Sequence, residues 1–113
     1  MKPALKAAFL AELQCSREAA RDGDHARAWH HLERAHVLSQ AHAWPHVRVH
    51  ALMLGAGFRR RDAREVVGQL ARVLLAAPAS WLGCAPLGNT GGADVSMLTP
   101  KAIPDDLRRL LEA

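Results

Sequence analysis

The stretch DHARAWHHLERAHVLSQ (residues 24–40), followed after a short connector by PHVRVHALMLG (residues 45–55), decides the fold. In the first part Ala28, Trp29, Leu32 and Ala35 recur at the spacing of one helix face. His36 falls in the same stripe, and His30 and Arg34 point the opposite way. Asp24 is suited to cap this helix, because a carboxylate oxygen accepts from the unpaired N–H groups of a first turn. Pro45 is favoured at the first position of a helix and disfavoured further in. The spacing therefore predicts one helix from Asp24 to about Gln40, a connector over Ala41–Trp44, and another helix over Pro45–Ala56 closed by Gly55 and Gly57. Helices joined by so short a connector must be antiparallel neighbours.

Outward from this pair, residues 4–21 carry Leu5, Phe9, Leu13, Ser16 and Ala20 at helical spacing, and Asp22-Gly23-Asp24 ends that run. On the other side, Asp62 and Glu65 have the form of a capping box. The helix that follows is expected to reach about Ala77, with Val66, Leu70, Val73, Leu74 and Ala77 on its buried face. From Pro78 to Ile103 prolines and glycines make helix improbable, so an extended, turn-rich segment is expected there. Its apolar residues, Trp81, Leu82, Leu87, Val95, Met97, Leu98 and Ile103, suit it to lying across the helices. Asp105–Glu112 reads as a short last helix docking through Leu107, Leu110 and Leu111. The expected fold is all-α: one domain over residues 1–113, an antiparallel bundle with a four-helix core (1–77), the extended segment (78–103) and the terminal helix (104–113). Gly23, Ala28, Leu32 and Ala35 after a preceding amphipathic helix resemble one tetratricopeptide hairpin, with no second copy at the expected period.

The chain has 113 residues, 50% hydrophobic and 23% charged, enough for one modest core. No apolar run approaches the ~20 residues of a membrane span, and the N-terminus lacks a secretory pattern, so a cytoplasmic protein is expected. The net charge of +4 is local: six arginines (Arg48, Arg59, Arg60, Arg61, Arg64, Arg72) face only Asp62 and Glu65 between His46 and Arg72. Cys15 and Cys84 form no paired motif and read as free thiols, Cys84 in a loop. Trp29, Trp44 and Trp81 read as core anchors.

Histidine is the unusual count. All seven, at positions 25, 30, 31, 36, 42, 46 and 50, lie in one stretch of the chain. Three share a geometry. His46 and His50, one turn apart, project from one face of the third helix, and Glu33 and His36 from adjacent directions of the second. His36 precedes the connector by about as many residues as His50 follows it, so at about 1.5 Å rise per residue the two come level across the interface. His46 lies one turn nearer the connector and Glu33 nearly one turn further away. Neutral imidazoles suit Zn, Cu, Ni and Fe, and two of them one turn apart form a two-point chelate. His25, His30, His31 and His42 do not share this geometry, although His42, in the connector, could serve as an accessory ligand. The Glu33-x-x-His36 pair resembles the ferritin-like di-iron motif, but no second such pair exists. Glu12, Glu18 and Glu65 could supply further carboxylates to a two-metal site, but without a second such pair a mononuclear, His-rich site is expected rather than a carboxylate-bridged one. Gly88-Asn-Thr-Gly-Gly92 lacks the lysine of a phosphate-binding loop and reads as a turn fixed by Asn89.

The segments HLERAH (31–36), WPHVRVH (44–50), GNTG (88–91), ADVS (93–96) and IPDDL (103–107) together resemble a family of small bacterial proteins known only as a domain of unknown function. The resemblance covers about residues 26–107. It implies a bacterial, intracellular, single-domain protein and carries no reaction.

The function these observations point to is binding of a transition metal ion by Glu33, His36, His46 and His50, with Glu33 as fourth ligand or outer partner and no reaction assigned. The alternative is a non-catalytic, tetratricopeptide-like interaction module whose Arg59, Arg60, Arg61 and Arg64 dock an acidic partner or nucleic acid, of which the protein partner is the better fit. A homodimer is compatible with either. A third use of the histidines is a pH-dependent interface.

Overall fold

The computed structural model describes residues 1–83, 91–92 and 101–113, apart from the side chains of residues 76 and 77. Among these residues five helices form: α1 (Pro3–Arg21), α2 (His25–Ser39), α3 (Ala43–Arg59), α4 (Ala63–Trp81) and α5 (Asp105–Glu112). Cys84, the Gly88–Thr90 part of the expected turn with Asn89, and Leu87, Val95, Met97 and Leu98 lie outside the described residues, as does the side chain of Ala77.

Helix α1 starts with Pro3 at its first position and buries Leu5, Phe9, Leu13, Ser16 and Ala19 along one stripe. It ends where Gly23 takes φ +75°, a left-handed conformation open to glycine without strain, while the Asp24 N–H closes back onto the Ala19 carbonyl at 2.9 Å. The Asp24 carboxylate then accepts from the Arg27 N–H at 3.1 Å, as the sequence predicts, and starts α2.

Helix α3 begins two residues before the expected Pro45. The missing Pro45 N–H still falls among the first four, which have no intrahelical acceptor, and the first helical bond runs from the His46 N–H to the His42 carbonyl at 3.0 Å. Gly55 and Gly57 do not end the helix. It continues to Arg59, and Gly57 serves instead where α4 comes close: a Cβ there would stand 3.3 Å from Val66 Cγ2. The turn instead places Arg61 at φ 55°. Asp62 caps α4 by accepting from the Glu65 N–H at 3.1 Å. Helix α4 passes Pro78 and runs to Trp81, four residues beyond its expected end. The carbonyl that Pro78 leaves without a helical donor is that of Leu74, on the exposed side of the helix. That extra turn carries Ser80 to the site described below.

Helix α1 packs on α2, α2 on α3 and α3 on α4, and α5 closes over α1 and α2. Among the described residues no helix contact joins α4 back to α1. Two apolar clusters result. Phe9, Leu13, Leu32, Ala35, Val49 and Met53 fill the space between α1, α2 and α3. Leu5, Val37, Leu38 and Leu107 fasten α5, with Ile103, Leu110 and Leu111 at the rim as expected. A radius of gyration of 13.0 Å is that of one globule of this length. Among the described residues no helix is long and apolar enough to cross a membrane.

Helix α4 departs most from its expected facing. Leu70 and Leu74 point to solvent, and Glu65, Gln69 and Arg72 are buried in their place. Trp29 is half-buried against the core, but Trp44 and Trp81 are exposed and meet edge to face at 5.8 Å rather than anchoring the interior.

Candidate metal centre

Antiparallel pairing of α2 with α3 brings His36 level with His50, and the one-turn spacing adds His46 from the same face of α3. All three imidazoles are buried. Their Nε2 atoms form a near-equilateral triangle: 3.0 Å from His36 to His50, 3.0 Å from His36 to His46 and 3.1 Å from His46 to His50.

The protons on these rings follow from their outer partners. The Gly91 carbonyl can only accept, so Gln69 gives it the amide nitrogen, at 2.7 Å, and turns Oε1 toward His50. His50 must then donate Nδ1–H to that oxygen, at 2.6 Å, which leaves a lone pair on its Nε2. The same logic holds for His46. Ser80 spends its one hydroxyl proton on the Gln40 carbonyl at 2.6 Å, so its oxygen accepts from His46 Nδ1–H at 2.7 Å and His46 Nε2 also carries a lone pair. A neutral His36 can bring at most one proton to the triangle. Three nitrogen–nitrogen contacts of about 3 Å therefore share one proton at most, an arrangement of facing lone pairs that a cation at the centre would satisfy.

Burial pushes the His50 imidazole down to about 4, and the charges of His46 and Arg72 add to this against the opposing hydrogen bond to Gln69. His50 thus stays neutral, and its Nε2 free to bind, well below the usual imidazole range. Burial also lowers His42, with the N-terminal charge adding.

Gly91 lies against the His36 ring. A Cβ on Gly91 would stand 2.6 Å from His36 Cδ2, and the residue has φ +86°, so both space and backbone require glycine. Gln69 and Arg72 hold its carbonyl from α4, at 2.7 and 3.1 Å.

Among the described residues, the side chains whose donor atoms gather within 4.8 Å of one another are His36, His46 and His50. Glu33, half-buried one turn before His36 on α2, is not in that group, nor is His42, which caps α3. His25 and His30 are exposed. His31 meets Glu12 at 2.6 Å, and Arg34 bridges Glu12 to Asp106, so Glu12 is committed elsewhere. Glu18 accepts from Gln14 at 2.9 Å. Arg59, Arg60, Arg61 and Arg64 are exposed, and among the described residues none forms an ion pair.

Sequence reasoning missed Gln69, Ser80 and Gly91, which orient or enclose the imidazoles. A signal for the first two exists: Glu65, Gln69, Arg72 and Ser80 form a polar stripe at helical spacing along an otherwise apolar helix.

Compared with known protein families, residues 3–111 match the family described as Protein of unknown function (DUF3703). The chain belongs to this family. Comparison with curated proteins and with solved structures gave no match. The DUF3703 description names no activity, so the function has to be read from the three imidazoles and what surrounds them.

Proposed function

We propose that the chain, acting as one domain over residues 1–113, binds a single transition metal ion through the Nε2 atoms of His36, His46 and His50. The observation that carries this reading is the triangle of buried Nε2 atoms, two of whose lone pairs are fixed by hydrogen bonds to Gln69 and Ser80. An ion held by these three imidazoles would supply Lewis acidity at that point. Zn, Cu, Ni and Fe all accept imidazole, and the outer hydrogen bonds to Nδ1 raise ligand basicity as they do in known metal sites.

Glu33 is proposed as an outer carboxylate rather than a donor to the ion, because it lies one turn from His36 and outside the group of converging atoms. Its replacement by Gln should therefore weaken binding less than loss of an imidazole. The deciding experiment is metal analysis of protein purified without a His-tag, compared with a His46→Ala/His50→Ala double variant. The wild type should hold close to one equivalent and the variant none. Equal metal content in the two would overturn the reading.

A second reading has its own observation. Arg59, Arg60, Arg61 and Arg64 form an exposed cluster on the turn that joins α3 to α4, in a chain of two successive helical hairpins (α1/α2 and α3/α4) of the kind an interaction module uses. It predicts binding to acidic partners that weakens steeply with salt and ignores chelators.

A further inference from the structure

Helix α4 is turned inside out. Its polar side chains Glu65, Gln69 and Arg72 are buried, while Val67, Leu70, Leu74, Leu75 and Trp81, with Leu82 just beyond, face outward. From Val66 to Gly83 the only charged residue is Arg72, which is buried, so the outer face of the helix carries no charge over four turns. A solvated helix face is ordinarily polar, and an apolar patch beyond a few hundred Å² marks an interface. With Leu74 and Leu82 each 77%, Val67 68%, Trp81 65%, Leu70 50% and Leu75 49% exposed, the six side chains offer roughly 800 Å², which is what each partner of a stable complex contributes.

The stripe is complementary to itself. Val67 and Trp81 each lie seven residues from Leu74, and Leu70 and Pro78 each lie four. If α4 packs antiparallel on the same helix of a second copy, Leu74 meets Leu74 at the two-fold axis. Leu70 then meets Pro78, and the small Val67 meets the large Trp81 at either end. This is the isologous contact a two-fold dimer requires. Charge selects the direction. A parallel pair would bring two clusters of Arg59, Arg60, Arg61 and Arg64 together. An antiparallel pair sets each cluster beside the C-terminal end of the other α4, where the helix dipole is negative and the exposed Trp44 and Trp81 rings can take a guanidinium.

We propose that this protein is a homodimer joined by antiparallel packing of α4 on α4 about an axis at Leu74. Its test uses the full chain at about 50 µM, a concentration at which micromolar dimers are largely associated. Sedimentation should give twice the 12.3 kDa mass of one chain, and Leu74→Arg should give the monomer with unchanged helical circular dichroism, since Leu74 is already exposed. Register is read by oxidation in a Cys15→Ser/Cys84→Ser background. Leu74→Cys should cross-link to itself, and Val67→Cys should cross-link to Trp81→Cys in a mixture but not to itself. Cross-linking of Val67→Cys to itself as readily as Leu74→Cys would overturn the antiparallel arrangement. A monomeric wild type, or a dimer indifferent to Leu74→Arg, would overturn the proposal and leave the stripe to another segment of the chain or to a different protein.

Discussion

Two of the interfaces that hold this small protein together are built from opposite materials. Where α1, α2 and α5 meet, the contact is aliphatic: Leu5, Val37, Leu38 and Leu107 exclude water with no polar atom among their side chains. Where α4 lies on α3 and the end of α2, the buried groups are His36, His46, His50, Gln69, Arg72 and Glu65. The first interface is non-directional and rests on buried area alone. The second depends on each donor finding its acceptor, because a buried polar group without a partner is costly. Its energy therefore depends on protons and, under the proposed function, on a metal ion, whereas that of the first does not. The lesson is that one helix can be fixed by chemistry rather than by hydrophobic burial, with its apolar residues left for the outside.

The largest single effect is expected in the aliphatic interface. Leu38→Ala should lower the free energy of unfolding by about 3–4 kcal/mol, with a similar loss at pH 7 and pH 5 and with or without chelator, as measured by urea titration. A loss that changed with chelator would erase the distinction between the two interfaces.

The polar interface should respond to pH instead. The folded-state value of His50, about 4, lies below its ordinary 6.5, so between these limits the unfolded chain binds the extra proton. Stability is then fully present above about pH 6.5 and falls as the pH drops toward 4, by at most about 3 kcal/mol from this group. Urea titrations of chelator-treated protein should show the slope, and His50→Gln should flatten it while Leu38→Ala leaves it in place.

A smaller effect is expected at the outer partners. Gln69→Leu removes the acceptor that holds His50 in its Nδ1–H form, and a competition assay with a chromophoric chelator should show metal affinity lowered about 10- to 100-fold. An unchanged affinity would mean that the imidazole is held by packing alone. The smallest effect concerns the turn that delivers α4. Arg61 sits at φ 55°, where a side chain is strained, so Arg61→Gly should raise stability by about 0.5–1 kcal/mol in thermal melts.

Much of this was legible in the chain itself. The apolar periods of α1, α2 and α5 locate those helices nearly to the residue, because each buries one continuous stripe, and Asp24 marks the start of α2, as Asp62 marks that of α4, with a side chain that bonds the first turn. The convergence of His36, His46 and His50 also follows from helix rise and a short connector. Helix α4 was not legible in the same way. Its apolar residues outnumber its polar ones, so periodicity assigned the buried face to Leu70 and Leu74, and Pro78 suggested an end four residues before the helix stops. Trp44 and Trp81 misled for the same reason, since size favours burial but does not require it.

What the sequence determined by itself is the set of local events: where helices start, how far one turn carries a side chain, and which histidines can come level. These depend on neighbours within a few positions and on a backbone with fixed rise and twist. Only the tertiary structure decided which face of α4 turns inward, which tautomers His46 and His50 adopt, and that Gly91, far along the chain, lies against the His36 ring. Each of these rests on groups tens of residues apart competing for the same acceptors and the same space, and that competition is settled only when the helices pack.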